Sequence, residues 1–142
     1  MERDETRPPL TFTAHEAADG VLWAGLSAHS PELGRPEDWT PRYILGLDPE
    51  GAIKAGIRFF TALEWLFVHL LWVGEPYRGQ GVGSRLITEA EQAARERGCH
   101  GAYVDTFTFQ APKFYERLGY REFGRLDDFP PGHSRIWFAK RL

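Results

Sequence analysis

The hydrophobic positions of the chain change their period near its middle, from strand-like runs to a helix-like repeat. Residues 63–73 are almost continuously apolar, which predicts a buried central strand covered on both faces. Further on, apolar residues recur at every fourth position and predict a helix over 82–97, with Gly98 ending it. The recurring positions are Val82, Leu86, Ala90 and Ala94. A buried strand followed by an amphipathic helix indicates a domain in which a sheet packs against helices.

Shorter patterns on either side predict the remaining elements. Strands at 43–47 and 53–61 flank an Asp-Pro-Glu-Gly turn, so the first part of the sheet is expected to be an antiparallel hairpin. Residues 1–9 predict a flexible tail, and residues 16–30 predict one or two short helices broken at Gly20 and Gly25. The second half adds strands at 102–104, 120–126 and 134–140 and a short helix at 111–118. We therefore expect a single α/β domain over residues 1–142.

Composition narrows the classes of protein that fit this pattern. The 142 residues are 42% hydrophobic with a formal net charge of −3, which argues against a disordered chain and against bulk nucleic-acid binding. The single cysteine, Cys99, excludes an internal disulfide, and the histidines lack metal-ligand spacing, so we expect no metal. The N-terminus lacks the apolar region of a signal peptide, and no apolar run is long enough to cross a membrane. We expect a cytoplasmic protein that binds neither nucleic acid nor membranes.

A glycine-rich segment, residues 77–84, links the central strand to the predicted helix. Gly79, Gly81 and Gly83 alternate with other residues, which lets backbone N–H groups point into one concavity without obstruction by a Cβ. The helix N-terminus adds partial positive charge and Arg78 adds a full one, so the segment suits an anion such as a pyrophosphate. A nucleotide P-loop is excluded because it requires a Lys after its last glycine. A dinucleotide-binding loop fits poorly, because the segment follows an antiparallel hairpin and Ser84 takes the place of the third glycine.

Two motifs carry a resemblance to a known family. The spacing Arg78-x-x-Gly81-x-Gly83 is similar to the Q/R-x-x-G-x-G/A signature of the GNAT N-acetyltransferase superfamily, and residues 111–120 resemble the family's A-x-x-x-Y-x-x-x-G-F/Y segment. The resemblance covers roughly residues 43–142. It implies a mixed, mostly antiparallel twisted sheet with helices on both faces and a central pair of strands that splay apart.

The resemblance also implies a cosubstrate, acetyl-CoA, and the residues that hold it. The backbone amides of the glycine-rich segment would bind the pyrophosphate, namely those of Arg78, Gly79, Gln80, Gly81, Val82, Gly83 and Ser84. The backbone of Leu71, Trp72 and Val73 would pair with the pantetheine arm like an added strand. A backbone N–H near Val73 would face the acetyl carbonyl oxygen.

Two side chains are candidates for proton transfer. Tyr115 occupies the position at which the family commonly carries a general-acid tyrosine, which would protonate the leaving CoA thiolate. His69 interrupts the apolar strand, and simple alternation places it on one face with Phe67, Leu71 and Val73, so it is a candidate for the base that deprotonates an amine. The alternatives are a packing role for Tyr115, a hydrogen-bonded core role for His69, and Glu64 as the base.

The predicted reaction is direct transfer of an acetyl group from acetyl-CoA to a primary amine of a small molecule or a protein. A CoA-binding regulatory module without turnover is an alternative, and so is a transferase that uses another acyl-CoA. The sequence leaves the acceptor open, and it leaves open both a monomer and a homodimer.

Overall fold

The computed structural model describes residues 7–142, which form a six-stranded sheet and three α-helices. The first half contains α1 (Asp19–His29), β1 (Arg42–Leu47), β2 (Ile53–Ala62), β3 (Trp65–Val73) and α2 (Val82–Glu96). The second half contains β4 (Gly101–Phe107), α3 (Pro112–Arg117), β5 (Arg121–Asp127) and β6 (Ser134–Arg141). Short 3-10 turns lie at Pro31–Leu33, Pro36–Trp39 and Glu75–Tyr77.

The strands lie in the order β1-β2-β3-β4-β6-β5. The β3–β4 pair is parallel and every other neighbouring pair is antiparallel. A parallel pair needs a crossover connection, which here contains α2. The prediction of a mixed, mostly antiparallel α/β fold is confirmed.

The two parallel strands separate halfway along their length. Their pairing runs from Trp65 opposite Gly101 to Val68 opposite Val104 and then stops. Residues 69–73 of β3 and 105–107 of β4 continue without pairing to each other. The splay therefore leaves a slot lined by strand backbone, as the family resemblance implied.

A β-bulge interrupts β3 where the splay begins. Val68 pairs with Phe59 of β2, and Leu70 pairs with Arg58, so His69 is an extra residue without a partner on β2. A bulge of this kind breaks the alternation of side chains along a strand. Leu71 and Val73 consequently pack against the core, whereas the ring of His69 lies near Phe67 on the opposite face. The prediction that His69 shares a face with Leu71 and Val73 is wrong for this reason.

One hydrophobic core fills the space between the sheet and two helices. Helix α2 contributes Leu86, Ile87, Ala90 and Ala94, and α3 contributes Tyr115. The same helical face of α2 carries Glu91, a buried carboxylate that accepts a hydrogen bond from the Tyr120 hydroxyl (2.9 Å) and pairs with Lys140 Nζ (3.0 Å). This network connects α2 to β6, the strand that carries Lys140 and lies beyond β4 in the sheet.

The N-terminal part differs from its prediction. Residues 19–29 form one helix that contains both Gly20 and Gly25, because neither glycine needs a special conformation there and their neighbours favour helix. Helix α1 buries no side chain. The predicted tail, residues 1–9, lies mostly outside the described residues, and residues 7–18 form neither helix nor strand. Within residues 7–142, no helix has the length and apolar character needed to cross a membrane.

Candidate active site

The splay between β3 and β4 opens into a cleft of about 760 Å³. Its walls are residues 69–73 of β3, residues 104–106 of β4, the glycine-rich segment and the start of α3. Every site residue predicted from the sequence lines this cleft except Gln80, whose amide nitrogen donates to the carbonyl of Pro76 at 2.9 Å. The structure thus gathers the predicted groups into one place.

The glycine-rich segment forms one end of the cleft. Gly79 and Gly81 adopt positive φ angles of 73° and 80°, which residues with a Cβ rarely adopt. Gly81 is the N-cap of α2, and no side chain caps this helix end. The backbone N–H groups of residues 82–84 therefore lack intrahelical partners, and Val82, Gly83 and Ser84 line the cleft. Free donors at a helix N-terminus favour an anion at this end.

Gly83 has a packing role that the sequence did not reveal. A Cβ at this position would lie 3.3 Å from the ring of Phe114 and 3.7 Å from Cγ2 of Val73. The first turn of α2 therefore approaches α3 and β3 closely. The glycine spacing alone gave no signal of this contact, since the partner lies on a later helix.

Tyr115 lies in the floor of the cleft with only 8% of its surface exposed. Its ring packs against Phe114, Tyr120 and Phe138. Burial raises the pKa of its hydroxyl to about 12, and the negative charge of Asp105 adds to the same shift. Tyr115 is therefore protonated at neutral pH.

Asp105 and Thr106 extend from β4 along the opposite wall. Asp105 accepts hydrogen bonds from the guanidinium of Arg135, with 2.8 Å from Nε to Oδ1, so its charge is paired. Thr106 donates to Oε1 of Gln110 at 2.8 Å, and the same oxygen accepts from the backbone N–H of Phe107. These bonds hold the loop that leads into α3. Sequence reasoning missed Gln110, because nothing in its local pattern distinguishes it from a surface residue.

His69 lines the cleft at the bulge, and its side chain is exposed to solvent. Its ring centroid lies 5.6 Å from that of Phe67 and 5.9 Å from that of Phe60. The alternative of a buried, hydrogen-bonded core histidine does not fit this exposure. A histidine here can exchange protons with water and with a ligand in the cleft.

The other candidate groups lie away from the cleft. Glu64 sits with Leu63 in the tight β2–β3 turn, where both residues have positive φ, and it faces His100 at 3.5 Å. This turn is at the end of β3 opposite Val73, so Glu64 does not line the cleft. Cys99 is buried in the core, where desolvation raises the pKa of its thiol.

Comparisons with known proteins agree with this geometry. The model of the acetyltransferase (GNAT) family matches residues 12–120. A blasticidin-S acetyltransferase of Streptomyces morookaense is 43% identical over 109 residues, which cover 76% of this chain and 79% of that protein.

Solved structures of acetyltransferases share the fold of this chain. A crystal structure of an acetyltransferase from Bacillus cereus superposes with a TM-score of 0.79 at 31% identity, covering 92% of this chain and 98% of that one. An aminoglycoside 6′-N-acetyltransferase complexed with coenzyme A shares the fold, with a TM-score of 0.65 at 21% identity over 85% of this chain and 84% of that one. The chain belongs to the GNAT family and is an acetyltransferase.

Proposed function

We propose that this acetyltransferase uses acetyl-CoA as its donor and transfers the acetyl group directly to a primary amine. The observation that carries the proposal is the cleft itself. At one end, it presents the uncapped N-terminus of α2 and the glycine-rich segment. Along its length it presents unpaired strand backbone, and in its floor it holds a protonated tyrosine.

The chain's own groups suit two parts of a CoA molecule, the pyrophosphate and the pantetheine arm. The N–H groups of residues 82–84 and the charge of Arg78 would bind the pyrophosphate. The backbone of Leu71, Trp72 and Val73, which has no partner on β4, would pair with the amides of the pantetheine arm. The slot exists because the two strands separate, so it opens without any rearrangement of the sheet, although the Val73 carbonyl oxygen already accepts a hydrogen bond from Nε of Arg78.

Acetyl transfer to an ammonium requires the acceptor nitrogen to lose two protons and the CoA sulfur to gain one. His69 would accept a proton from the acceptor ammonium, directly or through one water, so that the amine nitrogen can attack the thioester carbonyl. A new C–N bond then forms, and a backbone N–H near Val73 would stabilise the oxyanion. As the C–S bond breaks, Tyr115 would donate its proton to the CoA sulfur, and the tyrosinate would regain one through solvent as the acylated nitrogen loses its second proton.

The acceptor is an amine of a small molecule or of a protein. The blasticidin-S acetyltransferase of Streptomyces morookaense supports the small-molecule class, because this chain shares 43% identity with it over most of its length. The exposed position of His69 supports an acceptor that enters from solvent beside the bulge.

The test is a screen of primary amines with purified protein and acetyl-CoA, following the release of free thiol. Thiol release in the absence of amine measures hydrolysis and is subtracted. We expect amine-dependent release together with an N-acetylated product seen by mass spectrometry. Binding of CoA without release for any amine would favour a regulatory module, and faster release from another acyl-CoA would reassign the donor.

A further inference from the structure

The face of the sheet opposite α2 and α3 carries a row of half-buried aromatic rings beside the cleft. Phe60, Phe67 and Tyr103 lie on three adjacent strands and stack nearly parallel. The ring centroids are 6.0 Å apart for the first pair and 4.8 Å for the second, with interplanar angles of 16° and 15°. His69 adjoins the first two rings and lines the cleft. The row is therefore a largely apolar surface that His69, the proposed base, borders at Phe60 and Phe67.

Arg58 extends this row on β2. It pairs in register with Leu70, a cleft residue, and its guanidinium carbon lies 5.4 Å from the ring centroid of Phe60 and 6.0 Å from that of Tyr43. Its Nε is buried and makes no hydrogen bond. Among residues 7–142, no carboxylate pairs with it. A guanidinium is always charged and presents its donors as a planar fork, so a buried donor without an acceptor is costly.

Arg135 provides a comparison within the same molecule. Its guanidinium carbon also lies over aromatic rings, at 5.5 Å from Phe107 and 5.0 Å from Trp137, but Asp105 accepts hydrogen bonds from it. Arg58 has the same aromatic surroundings and lacks the carboxylate. The aromatic rings hold the guanidinium in place, and no carboxylate of residues 7–142 occupies its terminal N–H groups.

We propose that the acceptor substrate carries a carboxylate in addition to its amine, and that Arg58 binds this carboxylate. This inference rests on the proposed function, because it places the acceptor's amine at His69, on the edge of the cleft. A planar part of the acceptor lies against Phe60 and Phe67, and its amine points toward His69. Arg58 then selects anionic amines and contributes nothing to the acetyl-transfer chemistry itself.

The test uses a matched pair of amines, 4-(aminomethyl)benzoate and 4-(aminomethyl)benzamide, which differ in charge at the end remote from the amine. We expect the benzoate to have a kcat/KM about tenfold or more above that of the benzamide, as a charge-assisted hydrogen-bonded pair would give. Arg58→Gln should reduce this ratio to about one by lowering the kcat/KM for the benzoate. Arg125→Gln is the control, since Arg125 lies on β5 and pairs with Glu122. Equal rates for the two amines in the parent, or an unchanged ratio in Arg58→Gln, would overturn the inference.

A binding measurement separates this inference from the proposed function. If neither amine accelerates thiol release, the proposed function is in doubt, and calorimetry with 4-methylbenzoate and 4-methylbenzamide then tests Arg58 without turnover. Binding of the benzoate that is lost in Arg58→Gln and kept in Arg125→Gln supports the carboxylate site. Benzoate binding that is absent from the parent, or that survives in Arg58→Gln, rejects it.

Discussion

The Nε of Arg78 donates a hydrogen bond to the backbone carbonyl of Val73 at 2.9 Å. The arginine of the glycine-rich motif therefore holds the last residue of β3 in addition to supplying positive charge. It fixes the start of the glycine-rich segment relative to the strand whose backbone faces the slot. One side chain thereby joins the two halves of the proposed CoA site.

Replacing Arg78 should weaken binding of acetyl-CoA. Arg78→Ala removes both the charge and the bond to Val73, so we expect the Kd to rise about tenfold or more, as measured by calorimetry. Arg78→Lys should recover part of the loss because it keeps the charge without the Nε donor. Arg85→Ala is the control, since Arg85 is exposed and pairs with Glu89 on the surface of α2. Equal affinities in the Arg78 and Arg85 variants would remove Arg78 from the site.

Gly81→Ala should abolish the rise in Tm that acetyl-CoA produces. A ligand that binds the folded state alone raises Tm by mass action, so the shift reports binding. The control is Gly98→Ala, because both glycines have positive φ, 80° and 83°, and an added Cβ meets no atom within 4 Å at either. Both variants should lose a similar stability without ligand, and Gly81→Ala alone should lose the ligand shift. Should both variants keep the shift, the glycine-rich segment is not the phosphate site.

Tyr115→Phe should lower kcat by about 10²–10⁴ with little change in the Kd for acetyl-CoA. The substitution removes the proton donor and keeps the ring that packs in the core. Tyr120→Phe is the matched control, because Tyr120 belongs to the same ring cluster, does not line the cleft and bonds to Glu91. A loss below about threefold in Tyr115→Phe would leave this residue with a packing role only.

His69→Gln should remove the acidic limb of the kcat/KM profile. A general base acts only in its deprotonated form, so the acidic limb of the profile depends on the group that takes the amine's proton and should disappear when that group is replaced. His100→Gln serves as the control, since His100 is an exposed histidine that lies next to Glu64, away from the cleft. Survival of the acidic limb in His69→Gln would show that another group, or water, takes the proton.

The free energy of unfolding should fall as the pH rises from 10 to 12. The pKa of Tyr115 is about 12 in the folded protein, against an ordinary value of 10.0. Between these two values the Tyr115 hydroxyl is largely deprotonated in the unfolded chain and largely protonated in the folded protein. Rising pH therefore favours the unfolded state. Tyr115→Phe should make the decline in Tm less steep over this range, as measured by circular dichroism, with Tyr43→Phe as a control because Tyr43 is exposed. An equally steep decline in both variants would show that Tyr115 does not contribute to it.

Local patterns in the sequence predicted most of the framework. The four-residue repeat predicted the helix that spans Val82–Glu96, and the alternating glycines predicted the anion-binding segment that precedes it. These features depend on neighbours in the chain, which is why a single sequence reveals them. The slot came from the family resemblance, and the strand pairing confirms it.

Features that depend on distant contacts were missed. The apolar run was predicted to start at Leu63, but Leu63 and Glu64 form a turn with positive φ although neither is Gly or Asn. The bulge at His69 has no sequence signal, because it is defined by pairing with Arg58 and Phe59 on another strand. The unpaired state of Arg58 is likewise visible only when all its neighbours are placed.

The bulge at His69 also determines how β3 responds to a change in its length. Val68 faces the core, His69 and Leu70 face the opposite side, and Leu71 faces the core again. Removing His69 would restore strict alternation and leave every other side chain of the strand on its present face. The two faces of β3 are therefore compatible with a strand one residue shorter, and the bulge adds a histidine beside the cleft without changing which residues face the core.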